Sequence, residues 1–192
     1  TDVQSSDQSG TIHEFLREAH VPYTVVPHLP AFTAPEEAAA TRIPGRDWAK
    51  VVACFIDDEP VQAVVPAPYF VALDRLLDLA GGEVIRLASE DELRLLFPDC
   101  ELGAMPPFGP MYGQQVFVDV TLACESEIVF NAGTHRDAIA MRWNDFVRMV
   151  TPLVGRFSAA PTDRVGGYRL DEDLHAAFGG LGFSAIAEPY LN

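Results

Sequence analysis

Apolar and polar positions along the chain switch between two periods, and the switches mark out the elements. Thr11-Ile12-His13-Glu14 has the spacing of a capping box, and Ile12, Phe15 and Leu16 recur on one helical face, which predicts a helix to about His20. Pro22 ends it, and the β-branched and aromatic run Tyr23 to Val26 predicts a strand. Thr33-Ala34-Pro35-Glu36 is a second capping box, opening an Ala-rich helix towards Arg42. Two apolar stretches, Ala49 to Ile56 and Val61 to Val65, flank the acidic turn Asp57-Asp58-Glu59-Pro60 and predict a hairpin. Ala72 to Ala80 returns to the helical period and stops at Gly81-Gly82. Val84 to Leu87 is a short strand, and Ser89-Glu90-Asp91-Glu92 caps a further helix.

Glu101 to Gly113 is rich in Gly and Pro and has little regular potential. Strands are predicted at Gln115 to Leu122, Ile128 to Asn131 and Ala138 to Met141, which read as a meander. Asn144 can cap a closing helix through Val150, terminated by Pro152 and Gly155. Beyond Pro161 the Gly166-Gly167 and Gly179-Gly180 breaks leave room for one short helix near Asp171 to Phe178. The pattern is α+β, with a mixed, strongly curved sheet flanked by helices. It predicts a flexible start over residues 1–10, one domain over 11–158 and an extension over 159–192.

A chain of 192 residues that is 48% apolar suits one well-formed core. Its apolar runs are broken well before the ~20 residues that a membrane span needs. Thr1 to Gly10 lacks the basic start and apolar stretch of a secretory signal, and Cys54, Cys100 and Cys124 are too few and too scattered for a disulfide framework. A soluble cytoplasmic protein is expected, with no membrane partner. Phosphate-loop glycines, paired zinc cysteines, a His-Glu-x-x-His helix and a Gly-x-Ser-x-Gly elbow are all missing, and the five His are scattered, so no metal and no cofactor is expected. The net charge of −15 argues against DNA and against any broad nucleic-acid surface.

Three features could carry chemistry. Lys50, the one lysine among 13 Lys and Arg, begins a strand that is apolar on both faces. It either snorkels to water or aims a cation at a phosphate or oxyanion. The loop Gly103-Ala104-Met105-Pro106-Pro107-Phe108-Gly109 is stiff and apolar, suited to a pocket wall or to a plain connection. Phe130-Asn131-Ala132-Gly133-Thr134-His135-Arg136-Asp137 runs from a strand through small polar residues, where the Gly133 and Thr134 amides could face a carbonyl oxygen or simply close a hairpin.

Taken in this order, with the opening helix and the Pro27-His28-Leu29-Pro30 segment, these features resemble the YbaK/EbsC family. That family includes the editing domain of bacterial prolyl-tRNA synthetases and its free-standing relatives. The resemblance covers roughly Thr11 to Gly155; the tail lies outside it. It implies a hydrolase that deacylates misacylated tRNA carrying a small amino acid (Ala, Ser, Thr or Cys), acting on the acceptor end alone or with a synthetase or elongation factor as partner. Lys50 maps onto the family's signature lysine, as a phosphate or ribose contact, and Gly103 and Pro107 map onto its Gly-x-x-x-Pro loop. Gly133 and Thr134 are then the oxyanion amides, and His135 orients water or the ribose. Met105, Pro107 and Phe108, with Met111, form the wall sizing the amino acid, while Arg46, Asn131, Arg136 and Asp137 complete the substrate contacts. An ester is reactive enough to need no strong nucleophile, which suits a chain without a triad. Two rivals remain: a hydrolase of a small acyl ester or amide that never meets tRNA, which the acidity favours, and a binding module of the same fold without turnover.

Overall fold

A computed structural model of the chain describes residues 11–27 and 48–160. The helix expected from Thr33 to Arg42, the contact Arg46, residues 1–10 and the tail beyond Ala160 lie outside the described residues.

The predicted hairpin is the centre of the fold. β2 (Trp48–Ile56) and β3 (Glu59–Pro66) pair antiparallel from Ala49 opposite Pro66 to Ile56 opposite Glu59. The four-residue acidic turn expected between them shortens to Asp57 and Asp58, with φ of 49° and 67°. Two successive left-handed residues give a turn whose twist matches the strands, and Asp tolerates that region better than most residues. The Asp57 carboxylate accepts from the N–H groups of Glu83 and Val84, which ties the hairpin tip to the next strand.

β1 (Thr24–Pro27), β5 (Ile85–Leu87), β6 (Gln115–Asp119), β7 (Glu127–Asn131), β8 (Asp137–Arg142) and β9 (Leu153–Gly155) join the hairpin in one mixed sheet. Its order is β1-β8-β7-β2-β3-β6-β9, with β5 as a second neighbour of β2. The expected meander is not formed. Only β7 and β8 make a hairpin, whereas β6 pairs parallel with β3 and with β9. Parallel partners need long crossovers, so β6 and β7 are neighbours in sequence but not in space.

Each face of the sheet carries its own core. On one face Ala49, Val51 and Ala53 pack with Ile12 and Leu16 of α1 (Ile12–Glu18), Leu93 of α3 (Glu90–Leu96) and Phe146 and Val150 of α5 (Trp143–Val150). On the other, Trp48, Val52, Cys54 and Ile56 pack with Leu76 of α2 (Leu73–Ala80), Val71 and Phe157. The Ser89 capping box forms as expected, with Ser89 and Glu92 each bonding the other's backbone. Thr11 caps α1 without a side-chain bond, and α5 starts at Trp143, one residue before the expected Asn144 cap.

The strand predicted from Gln115 to Leu122 breaks at Asp119, which caps the short helix α4 (Val120–Ala123) through the Thr121 N–H at 3.0 Å. The same buried carboxylate accepts from the N–H groups of Phe157 and Ser158 at 2.8 and 2.7 Å. It thereby holds β10 (Ser158–Ala159) against β4 (Phe70–Val71), a pairing the sequence pattern did not reveal. Burial pushes the Asp119 pKa up, but these hydrogen bonds outweigh it and hold the group below the usual carboxylate value.

Asp119→Ala is expected to destabilise the fold by about 3 kcal/mol, because it leaves buried N–H groups without an acceptor. A carboxylate with a depressed pKa stabilises above its unfolded value and loses that contribution as pH falls through the folded one. Urea unfolding of wild type and Asp119→Asn should therefore show a gap at pH 7 that narrows below pH ~4.

Candidate active site at a fork in the sheet

Strand β2 keeps β3 on one edge throughout but changes partner on the other. β7 runs parallel beside Trp48 and Ala49, whereas β5 runs antiparallel beside Cys54 to Ile56, extended by the Ala88 N–H donating to Ala53 O at 3.0 Å. Between them the edge of Lys50 to Val52 faces a fork where the two neighbouring strands part. A crevice at the carboxyl end of a strand, where neighbours diverge, is where open sheets bind ligands.

Lys50 comes to this fork from within the sheet. Its position alternates with Trp48 and Val52, placing it on the face of the α2 core, opposite Val65 of β3. Carrying the parallel register Trp48 to Val129 and Ala49 to Phe130 one residue further sets Lys50 beside Asn131, the last residue of β7. Lys50 is only 7% exposed, and its Nζ stands 5.2 Å from the centre of the Phe70 ring. The lysine does not snorkel to open water: burial of the ammonium pulls its pKa down to about 7.

The Gly-Pro loop and the Ala-Gly turn, separate in sequence, interlock. Gly133, with φ of 92°, donates its N–H to Ala104 O at 2.9 Å and accepts from the Glu101 N–H at 2.8 Å. The Glu101 carboxylate accepts from the His135 N–H at 2.8 Å. The His135 ring lies against Gly103, whose φ of 84° suits glycine, and its Nε2 stands 2.7 Å from Leu102 O. A carbonyl can only accept, so Nε2 carries the proton in that bond. Beneath Gly133 lies Cys100, whose thiol contacts the Tyr112 hydroxyl at 3.3 Å and is pushed by burial up to about 12. A thiol so raised is no nucleophile at neutral pH.

These contacts redistribute the expected roles. The Gly133 N–H is taken by Ala104 and does not face a ligand. Among the described residues the Thr134 N–H has no acceptor, and Thr134 is half-buried. The His135 ring serves the loop through Leu102. Met105 and Phe108 are not an open wall: they belong to the core of the other sheet face, where Phe108 meets the rings of Phe15, Phe130 and Phe146, and Pro107 is buried as well. Apolar side chains on a stiff loop complete a core more readily than they line water. Arg136 is exposed, with its N–H directed to Thr134 Oγ1 at 3.4 Å. Asp137 opens β8 opposite Pro27, and its charge reaches His13 of α1.

Sequence reasoning missed Glu101 and Phe70. The first stands two residues before the Gly-x-x-x-Pro glycine, a position that carries a signal only once the loop is paired with the turn. The second lies in a two-residue strand too short for any periodicity. Among the described residues no three His, Cys, Asp or Glu side chains are grouped to hold a metal ion, and no helix is long and apolar enough to cross a membrane.

The model of the aminoacyl-tRNA editing domain matches residues 28–149 of the chain. Among solved structures, a hypothetical protein superposes with a TM-score of 0.70 at 18% identity, covering 77% of this chain and 99% of its own. A candidate trans-editing enzyme for prolyl-tRNA synthetase gives 0.67 at 21% identity, covering 81% of this chain and 99% of its own. A protein from Marinobacter aquaeolei, described as a candidate in signal transduction, gives 0.63 at 16% identity; the match covers 86% of this chain but 33% of that one. No curated protein sequence matches the chain. At such identities the structures speak for the fold, a mixed sheet flanked by helices, while the domain match spans more than half of the sequence. The chain is a member of the aminoacyl-tRNA editing domain family.

Proposed function

We propose that this protein deacylates misacylated tRNA carrying a small amino acid, by attack of water on the aminoacyl ester. What supports the reading is the buried Lys50 set beside Asn131 at the end of β7, with the Thr134 amide three residues further along the chain, in the turn that follows. Water adds to the ester carbonyl, the oxygen gains charge facing the Thr134 N–H, and the intermediate collapses by expelling the ribose hydroxyl of the terminal adenosine. A positioned amide donor in a site shielded from water lowers that barrier more than it stabilises the neutral ester. Lys50, with a pKa near neutrality, supplies a cation to the ribose or phosphate at the point where the acceptor end enters. Size alone separates side chains by only ~1–3 kcal/mol per methylene, which favours Ala, Ser or Thr as the residue removed, with Cys as a further case.

The net charge of −15 repels tRNA at long range, so binding of free aminoacyl-tRNA is weak and salt-sensitive, and a synthetase or elongation factor is the natural source of substrate. The same charge favours a second reading, a hydrolase of small acyl esters that never meets tRNA.

The deciding measurement is deacylation of Ala-, Ser-, Thr- and Cys-charged tRNA at low and moderate salt by wild type and Lys50→Ala. Hydrolysis of at least one substrate that collapses in Lys50→Ala is expected. No hydrolysis at either salt, with turnover of an aminoacyl-adenosine mimic, would move the protein to the small-ester class.

The buried lysine adds a pH signature. The ammonium is held below pH ~7 and lost above it, so the ratio of wild-type to Lys50→Ala rates is expected to be largest below about 7 and to decline above it. Stability moves the other way. Unfolding returns Lys50 to its ordinary value of 10.5, so between about 7 and 10.5 the unfolded chain binds a proton that the folded chain lacks, and stability rises with pH. Lys50→Met should raise Tm most below pH about 7, with the gain shrinking towards pH 10.

A further inference from the structure

The chain folds back beside its own lysine. Lys50 stands opposite Val65, the last residue but one of β3. After Pro66 a tight turn returns the chain, with the Ala67 N–H donating to Trp48 O at 2.8 Å and the Tyr69 N–H to Pro66 O at 2.9 Å. That turn delivers β4, in which Val71 is buried in the α2-side core, and the Ala72 N–H that follows donates to Phe157 O at 2.7 Å. Phe70, opposite Ala159 of β10, presents its ring to the Lys50 ammonium, which lies over it at 5.2 Å from the ring centre.

The face of a phenyl ring carries partial negative charge, and a cation within about 6 Å of its centre is attracted, more strongly where water is excluded. Lys50 is 7% exposed, and Phe70 is half-buried. The side chains that share its place in the sheet are neutral: Trp48 and Val52 on its own strand, Val65 on β3 and Asn131 at the end of β7. Charged groups of the surrounding elements are placed otherwise. Asp119 continues the row beyond Val65, and its carboxylate accepts from the N–H groups of Thr121, Phe157 and Ser158. Asp137 alternates with Ala138 and so lies on the other sheet face, His135 turns its ring to Leu102 O, and Asp74, Arg75 and Asp78 of α2 are exposed.

We propose that Phe70 is a positioning residue for the editing reaction: its ring face keeps the Lys50 side chain protonated and in place at the fork. The inference rests on the deacylase reading for what Lys50 does, and on the ring contact for how Phe70 acts. The ring has two opposed effects on the lysine. As a π partner it favours the ammonium; as apolar cover it keeps water away and disfavours it. Removing the ring separates the two by sign, because contacts of the ammonium with other groups are common to wild type and variant.

Lys50 is the one lysine of the chain, so isotope-labelled lysine gives a single Cε signal whose pH titration reports this ammonium alone. Phe70→Leu keeps the apolar bulk and loses the ring, and its Lys50 pKa is expected to fall about one unit below that of wild type. On the charged tRNA that wild type hydrolyses, a group titrating at about 7 then loses about fivefold in charged fraction, and in rate, at pH ~7 and almost nothing at pH ~5. Phe70→Tyr keeps the ring and should match wild type in both. Should Phe70→Leu fail to fold, a ring-fluorinated phenylalanine installed at this position weakens the negative face at nearly the same shape, and should lower the pKa likewise. A Lys50 pKa unchanged or raised on loss of the ring's negative face overturns the proposal, since the ring is then cover alone. A pKa that falls while the pH profile of the rate stays in place overturns its link to editing. If wild type hydrolyses no aminoacyl-tRNA, the deacylase reading has failed separately, and the titration still decides the contact.

Discussion

The central pair β2 and β3 is buried on both faces, and that constraint decides where chemistry can be housed. A strand covered on two sides has no surface on which to display polar groups, so a polar side chain within it carries a desolvation cost that its contacts must offset. Lys50 is such a group, as is Gln62 of β3, which donates to Gln114. Beyond the end of β7, the chain leaves the sheet in the turn leading to β8, which interlocks with the loop after α3.

Those loops work as one body. Gly133, Ala104, Glu101, His135 and Leu102 exchange backbone and side-chain hydrogen bonds between two segments about thirty residues apart in sequence. Two glycines at positive φ, Gly103 and Gly133, let the strands of the interlock approach. The outcome is a turn held from both sides, with the Gly133 N–H on Ala104 O and the His135 N–H on the Glu101 carboxylate. Cys100 and Tyr112 support the turn from below through a thiol and a phenol that stay protonated.

Much of the fold was legible in the sequence, since it rests on period and punctuation. The β2–β3 hairpin, the Ser89 capping box and the helix ending at Gly81 all depend on local signals, and each appears within a residue or two of its expected place. The meander failed because strand adjacency is a long-range matter: nothing in Gln115 to Asp119 says that its partners are β3 and β9. The site was half legible. Lys50, the Gly103 loop and the Gly133 turn stood out as unusual residue types in unusual settings, and the loop and turn do meet. The inward direction of Met105 and Phe108 was not legible, because an apolar loop looks the same whether it faces a ligand or a core. Glu101 carried no signal, because an exposed glutamate gains its meaning only from the amide opposite it.

The two-residue strand β4, whose Phe70 faces the Lys50 ammonium, finds its partner in β10, nearly ninety residues later. A chain emerging from the ribosome presents Lys50 and Phe70 early, but the strand that carries Phe70 gains its β partner only once Ser158 and Ala159 have been made. A chain cut short after α5 would own every residue of the interlock yet lack the strand that pairs with β4 beside its lysine.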